Sequence, residues 1–227
     1  MSVHVKAPER IGQSDRSWRL ATILSNLINP FIFPPLLFGL LAWHWGLPGS
    51  VAWPVLGLVF MHFTLLPLLY LVYLLHRNRI ESLDVRRRLA RTVPFMVGIA
   101  SYSVVLMVLV FWQPTGWQPM AWLIGVYIVN TAVTILINLS WKISVHLMGL
   151  SGALGAFVFF LHHPLPGYAH RLAWDSIYWG LFVLVPLLMW ARVTVRAHTW
   201  AQTLGGAAYG FGATYGLLSW GWECYAG

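Results

Sequence analysis

Seven long apolar stretches run through the chain, and they constrain its fold more than any other feature. They cover residues of about 19–46, 52–75, 94–112, 120–140, 147–161, 173–191 and 204–222. A bilayer core is crossed by about 20 apolar residues of helix, and lipid-exposed backbone must satisfy its own hydrogen bonds as helix or closed barrel. Only 9% of the residues are charged, against about 25% in soluble domains. We therefore predict an all-α integral membrane protein, a bundle of six to seven transmembrane helices.

The chain divides into a polar tail and one membrane domain. Residues 1–18 are polar, mixed in charge and without the apolar core of a signal peptide. Residues 19–227 then form a single transmembrane helical domain, whose first span is kinked or partly re-entrant because it holds three prolines. The single cysteine, Cys224, excludes an internal disulfide framework.

The basic residues indicate an orientation. If the spans alternate, the N-terminus and the stretches 76–93, 142–146 and 192–202 lie on one face. Of the fourteen Lys and Arg residues, all except Arg171 fall on that face. The positive-inside rule places it in the cytoplasm, as expected for a multi-pass protein of a prokaryotic cytoplasmic membrane. This inference fails if the first span is a re-entrant hairpin, because the N-terminus would then keep its side while every later loop changed sides.

Three polar clusters lie on this basic face. The first is "HRNRIESLDVRRRLARTVPF" (76–95), in which helical spacing puts three side chains on one side: Asp84, Arg88 and Arg91. The second comprises Lys142, Ser144 and His146, and the third comprises Arg192, His198 and Gln202. Each alone is also explained by topology, by an interfacial histidine or by a snorkelling lysine. Their coincidence on one face favours a shared site.

The chemistry that fits this coincidence is phosphate-ester cleavage. Two histidines supply a nucleophile and a proton donor near neutral pH, and Arg, Lys and Ser side chains bind phosphate oxygens. The six acidic residues form no paired motif for two-metal phosphoryl transfer. We expect neither a metal nor another cofactor.

These clusters resemble the motifs of the type 2 phosphatidic acid phosphatase (PAP2) superfamily. Its motifs are Lys-x6-Arg-Pro, Pro-Ser-Gly-His and Ser-Arg-x5-His-x3-Asp. "ISVH" (143–146) is similar to the second, and "ARVTVRAHTWAQ" (191–202) has the spacing of the third, with Ala191 and Gln202 replacing its Ser and Asp. The first motif is degenerate, because Pro94 follows Arg91 by three residues.

The resemblance implies a role for each matching residue and a PAP2-like core. His198 would form a phosphohistidine, and His146 would protonate the leaving alcohol. The phosphoryl oxygens would be held by Ser144, Arg192 and Arg91, to which we add Lys142 and Arg88 on physical grounds. Gln202 can orient the nucleophilic imidazole but brings no charge, and Asp84 is the candidate to supply it.

We therefore predict a metal-independent lipid phosphatase that hydrolyses a phosphate monoester or diphosphate, with an isoprenoid (di)phosphate or a phosphatidate-like lipid as substrate. Its expected partners are that substrate and membrane lipids, not nucleic acid, and the oligomeric state stays open. One alternative is a catalytically weak protein that binds or flips lipid phosphates. Another is a metal or haem protein, for which the candidate ligands are His62, His146, His162, His163 and His198. Prenyl transfer is less favoured because the chain lacks an Asp-rich pair for magnesium diphosphate.

Overall fold

The computed structural model describes residues 15–85, 87–165, 167–169 and 174–226, and the regular secondary structure within these ranges is helical throughout. The α-helices are α1 (Asp15–Leu27), α2 (Phe33–His44), α3 (Gly49–Val59), α4 (Leu66–His76), α5 (Thr92–Trp112), α6 (Trp117–Ser140), α7 (Val145–His162), α8 (Trp174–Thr194) and α9 (Trp200–Ala226). A π-helical segment (Phe60–Leu65) joins α3 to α4, and a 3₁₀ turn (Arg88–Arg91) precedes α5. The predicted all-α fold is confirmed, and α1 begins inside the segment predicted as a polar tail.

Four helices in the described ranges are long and apolar enough to cross a membrane. They are Gly49–His76, Arg88–Trp112, Trp117–Ser140 and Val145–His162. Two shorter apolar helices accompany them, at Phe33–His44 and Phe182–Thr194. The helices are thus compatible with a multi-pass membrane protein.

The first apolar stretch is broken, as its prolines predict. It is interrupted at Pro30, between α1 and α2. The hydroxyl of Thr64, in the π-helical segment, donates to the carbonyl of Phe31 at 2.6 Å. A backbone oxygen released by the break is therefore satisfied by a neighbouring helix, as a non-helical backbone inside a membrane protein requires.

Helices α7 and α9 form the most extensive helix contact among the described elements. Glycines make this approach possible: a Cβ on Gly206 would lie 2.6 Å from the carbonyl oxygen of Ser144, and one on Gly155 would lie 2.7 Å from that of Phe211. Small residues allow membrane helices to approach this closely. The contact sets the start of α7 beside the start of α9, where the second and third polar clusters lie.

An amide fixes α6 against α9 in the same bundle. The Nδ2 group of Asn130 donates to Oγ1 of Thr214 at 3.0 Å, and the hydroxyl of Tyr209 donates to Oδ1 of Asn130 at 3.3 Å. Such hydrogen bonds between membrane helices contribute about 0.6 kcal/mol each. They hold α6 in place as one wall of the cavity described next.

Candidate active site

A cavity of about 180 Å³ lies among α4, α5, α6 and α7, and both candidate catalytic histidines line it. Its polar end is formed by Asp84, Arg91, His146 and His198. Most of the remaining wall is apolar or aromatic. Residues of all three sequence clusters therefore meet around one cavity.

His198 is held in a defined tautomer by Gln202. Its Nδ1 lies 3.2 Å from Oε1 of Gln202, and an amide oxygen can only accept a hydrogen bond. Nδ1 therefore carries the proton, and Nε2 keeps its lone pair. Burial, followed by the charges of Arg91, Arg192 and Lys142, lowers the pKa of His198 from 6.5 to about 3. The imidazole is thus neutral at physiological pH, the state that a nucleophile needs.

The same glutamine caps α9. Its backbone N–H donates to Oγ1 of Thr199 at 3.3 Å, and the N–H of Thr199 donates to Oε1 of Gln202 at 3.2 Å. This reciprocal pair is a capping box, in which the third helical residue is a Glu or Gln. Oε1 of Gln202 therefore serves both the helix terminus and the imidazole.

His146 lies beside an acid, in the first turn of α7. Its Nε2 is 3.8 Å from Oδ1 of Asp84. Burial raises the pKa of Asp84, but the opposing effect of Arg192 and the other nearby cations leaves that pKa below its ordinary value. Asp84 is therefore ionised. The structure places its carboxylate next to His146 and Arg192, whereas the hydrogen-bond partner of His198 is Gln202.

Arg192 is 2% exposed and is held from two sides. Its Nη1 donates to Oγ of Ser25 at 2.6 Å and lies 3.2 and 3.3 Å from the two oxygens of Asp84. Its Nε is buried without a partner among the described residues, and so is Oγ of Ser144. Buried donors in folded proteins are normally paired, but neither Ser144 nor Arg192 is among the residues that line the cavity.

Arg91 organises the loop that carries Asp84. Its guanidinium donates to three backbone carbonyls, those of Val85 at 2.9 Å, Ile143 at 3.2 Å and Asp84 at 3.4 Å. Val85 has a φ of +43°, a costly backbone conformation for a β-branched residue. Arg91 thus stabilises a strained turn while it also lines the cavity.

The two cations added on physical grounds also contact backbone. Nζ of Lys142 donates to the carbonyl of Ala197 at 3.0 Å, which fixes a positive charge next to His198. Nη1 of Arg88 donates to the carbonyl of Leu139 at 2.8 Å, at the C-terminal end of α6. Arg88 is therefore placed against a helix end, outside the wall of the cavity.

Of the five histidines of the metal or haem alternative, His62, His162 and His163 do not line the cavity that His146 and His198 share. His162 and His163 follow the far end of α7, about 24 Å from His146 at 1.5 Å per residue. Nδ1 of His62 bonds to the carbonyl of Leu58 in its own helix. In the described ranges, no group of three or more His, Cys, Asp or Glu residues is arranged to hold a metal ion.

The structure adds residues that the sequence patterns did not indicate. Ser25, which precedes Arg192 by 167 residues, is one of them. The other two are Tyr102 and Tyr127, which line the cavity away from the histidines. Serines and tyrosines inside apolar helices are common, and no local spacing connects them to a site.

Fold and site together define an all-α protein with apolar helices of membrane-spanning length and a cavity lined by two histidines, an arginine and an aspartate. No family profile, curated protein or solved structure matches the chain. Its function is therefore inferred from the residues of the cavity.

Proposed function

We propose that the protein is a metal-independent membrane lipid phosphatase of PAP2 type that works through a phosphohistidine. One observation carries the proposal: His146 and His198 line the same cavity, and Gln202 binds Nδ1 of His198, which leaves Nε2 as the nucleophile. A neutral imidazole held in one tautomer is prepared to attack phosphorus.

The reaction proceeds in two steps. Nε2 of His198 attacks the phosphorus atom, the bond from phosphorus to the alkyl oxygen breaks, and His146 gives its proton to that oxygen. Water then attacks the phosphohistidine, His146 takes a proton from the water, and the phosphorus–nitrogen bond breaks to release phosphate. The carboxylate of Asp84, 3.8 Å from His146, stabilises the imidazolium that this cycle requires.

Two buried donors beside the cavity are the candidates to bind the phosphoryl oxygens. Ser144 Oγ and Arg192 Nε are buried without partners in the described part of the chain, and the N-terminus of α7, capped at Ser144, adds the positive end of a helix dipole. Fixed donors of this kind stabilise charge that develops in the transition state. Asp84 occupies Nη1 of Arg192 and competes for it with the substrate.

The lipid nature of the substrate follows from the walls. The cavity is lined mainly by apolar and aromatic side chains, which suit a tail rather than a polar alcohol. An isoprenoid (di)phosphate or a phosphatidate-like lipid has a phosphate group for the polar end of the cavity and an apolar chain for its apolar wall.

The membrane arrangement that accompanies this function has six or seven spans. Besides the four long apolar helices, α8 and α9 would cross the bilayer, and α1 and α2 together would form a first, broken span. The active-site end is the face that carries all Lys and Arg residues except Arg171, so we place it in the cytoplasm. Such a site would act on lipid intermediates of biosynthesis.

The test is phosphate release from a prenyl diphosphate and from phosphatidate, in detergent with EDTA. We expect wild-type activity to survive EDTA, and His198→Ala to lose at least about a thousandfold, as a missing nucleophile implies. His163→Ala, at the far end of α7, is the matched control and should keep its activity. Loss of activity in EDTA would contradict the metal-independent mechanism. No release by folded wild type would favour the binding or flipping alternative, which predicts lipid affinity that survives His198→Ala.

A further inference from the structure

The cavity continues from the two histidines into the interior of the bundle. One side of α5 lines it at Phe95, Gly98 and Tyr102, whose spacing of three and four residues is that of a single helix face. From Arg91 at the polar end to Tyr102, the wall is about 16 Å long at 1.5 Å per residue. The space is therefore a chamber that runs along α5, with Arg91 and the two histidines at one end.

Three aromatic rings pack together at the end of this chamber away from Arg91, where Tyr102 and Tyr127 line it. Phe63 stacks on Tyr102, with ring centroids 3.9 Å apart and an interplanar angle of 16°. It also meets Tyr127 edge to face, at 5.3 Å and 86°. Phe63 is 1% exposed and belongs to the π-helical segment, a deviation that often occurs at functional sites. A chain that enters from the histidines is stopped at this aromatic floor.

The chamber is also small. Its volume of about 180 Å³ is below the roughly 300 Å³ at which pockets for drug-sized ligands begin. Pro67, Leu68 and Leu71 of α4 also line it. A space of this volume is too small to enclose both chains of a phosphatidate.

We propose that the site takes single-chain lipid phosphates, whose chain lies in this chamber and whose usable length is limited by Tyr102 and Tyr127. The inference rests on the proposed function and specifies its substrate class. A phosphatidate has two chains, and at least one of them would lie outside the chamber without contact to its walls.

The experiment measures kcat/KM for phosphate release from prenyl and alkyl monophosphates of increasing length, with phosphatidate alongside. In the wild type we expect kcat/KM to rise with length and then fall, and phosphatidate to be the poorer substrate. Tyr102→Ala opens the floor and should improve the first chain beyond the optimum by about tenfold, the contribution of roughly two buried methylenes. Tyr102→Phe keeps the ring and is the matched control, with an unchanged optimum.

A second variant changes the length in the opposite direction. A Cβ on Gly98 would lie 3.3 Å from the Tyr102 hydroxyl, so Gly98→Val fills the chamber and should shift the optimum to shorter chains. Equal use of phosphatidate and single-chain lipids, or an optimum that none of these variants moves, would overturn the inference.

Failure of the proposed function has a different signature. A folded wild type that releases phosphate from no lipid contradicts the phosphatase, and the chamber is then tested by binding. Thermal stabilisation by alkyl phosphonates of increasing length should show the same optimum and the same shift in Tyr102→Ala. Stabilisation that is independent of chain length would overturn the inference that the chamber binds the chain, whether or not the protein is a phosphatase.

Discussion

At the scale of single residues, the amide oxygen of Gln202 connects the capping of α9 to the tautomer of His198. It accepts from the N–H of Thr199 and from Nδ1 of His198. A carboxylate here would add charge to the second interaction, whereas the amide gives orientation alone. The nearby carboxylate is that of Asp84, and its negative charge stabilises a protonated His146 rather than His198.

The two roles of Gln202 can be separated by mutation. Gln202→Leu should lose about 1 kcal/mol of stability with the cap and about a hundredfold in kcat, because the imidazole tautomer is no longer fixed. Thr199→Val breaks the other half of the capping box and should lose similar stability while it keeps most of its activity. Thermal unfolding and phosphate release in detergent measure both. Equal kcat in the two variants would contradict an orienting role for Gln202.

Ser25 should act as a positioning residue for Arg192. Its hydroxyl accepts from Nη1 at 2.6 Å, and a hydrogen bond to a charged group contributes about 1.5–3 kcal/mol. Ser25→Ala should therefore lower kcat/KM by roughly tenfold or more, and Ser25→Thr should restore most of it. Thr22→Ala, one turn earlier in α1, removes a hydroxyl that bonds only within that helix and serves as the control. A loss of activity in Thr22→Ala as large as in Ser25→Ala would show a general effect of α1.

The depressed pKa of His198 predicts a pH dependence of stability. Since its pKa falls from 6.5 to about 3 on folding, the unfolded chain binds a proton below pH 6.5 that the folded protein does not. This contribution to stability is therefore complete above pH 6.5 and is lost as the pH falls towards 3. Thermal unfolding in detergent between neutral and mildly acidic pH should show a smaller decline for His198→Gln than for wild type or His163→Gln. Identical declines in all three would contradict the buried, neutral imidazole.

At the scale of elements, the close approach of α7 and α9 aligns the two histidine segments. The sequence indicated both segments and the glycine content of the helices, because motif spacing and small residues are local properties. It did not indicate that Gly206 meets the carbonyl of Ser144, since that contact depends on the relative rotation of two helices. The broken first span was predictable from its prolines, whereas the π-helical segment had no sequence signal.

Gly206→Ala tests this alignment. The added Cβ would lie 2.6 Å from the carbonyl oxygen of Ser144, so α9 must move away from α7 and His198 away from His146. We expect a lower unfolding temperature and at least about a tenfold loss of kcat. In Gly212→Ala the new Cβ meets nothing within 4 Å, and this control should unfold at the same or a higher temperature, because alanine favours helix over glycine. Wild-type kcat in Gly206→Ala would contradict the alignment.

At the scale of the whole molecule, the fold class was predictable and the chamber was not. Hydropathy predicts the helices because the apolar composition of each stretch is a local property of the sequence. The alternation of these stretches also predicts that the three polar clusters lie at one end of the bundle. The aromatic floor joins Phe63, Tyr102 and Tyr127 from three different segments, and Ser25 reaches Arg192 across 167 residues. Contacts of this kind are set by tertiary packing, which one sequence does not encode in any local pattern.

The orientation of the molecule is testable by cysteine labelling. In a Cys224→Ser background, Arg87→Cys should react with an impermeant maleimide only in inside-out vesicles, because Arg87 lies exposed on the basic face. Thr115→Cys, in the exposed loop between α5 and α6, should react only in intact cells. The reverse pattern would place the active site outside the cytoplasm.

The central claim, a covalent phosphohistidine at His198, is tested most directly by trapping it. Nitrophenyl phosphate has a leaving group that needs no proton, so His146→Ala should form the intermediate but lack the base for its hydrolysis. We predict that labelled phosphate accumulates on His198 of this variant, in an acid-labile bond that peptide mapping locates, and that it is absent from a His146→Ala, His198→Ala double variant. Label on another residue, or label that persists in the double variant, would contradict the account.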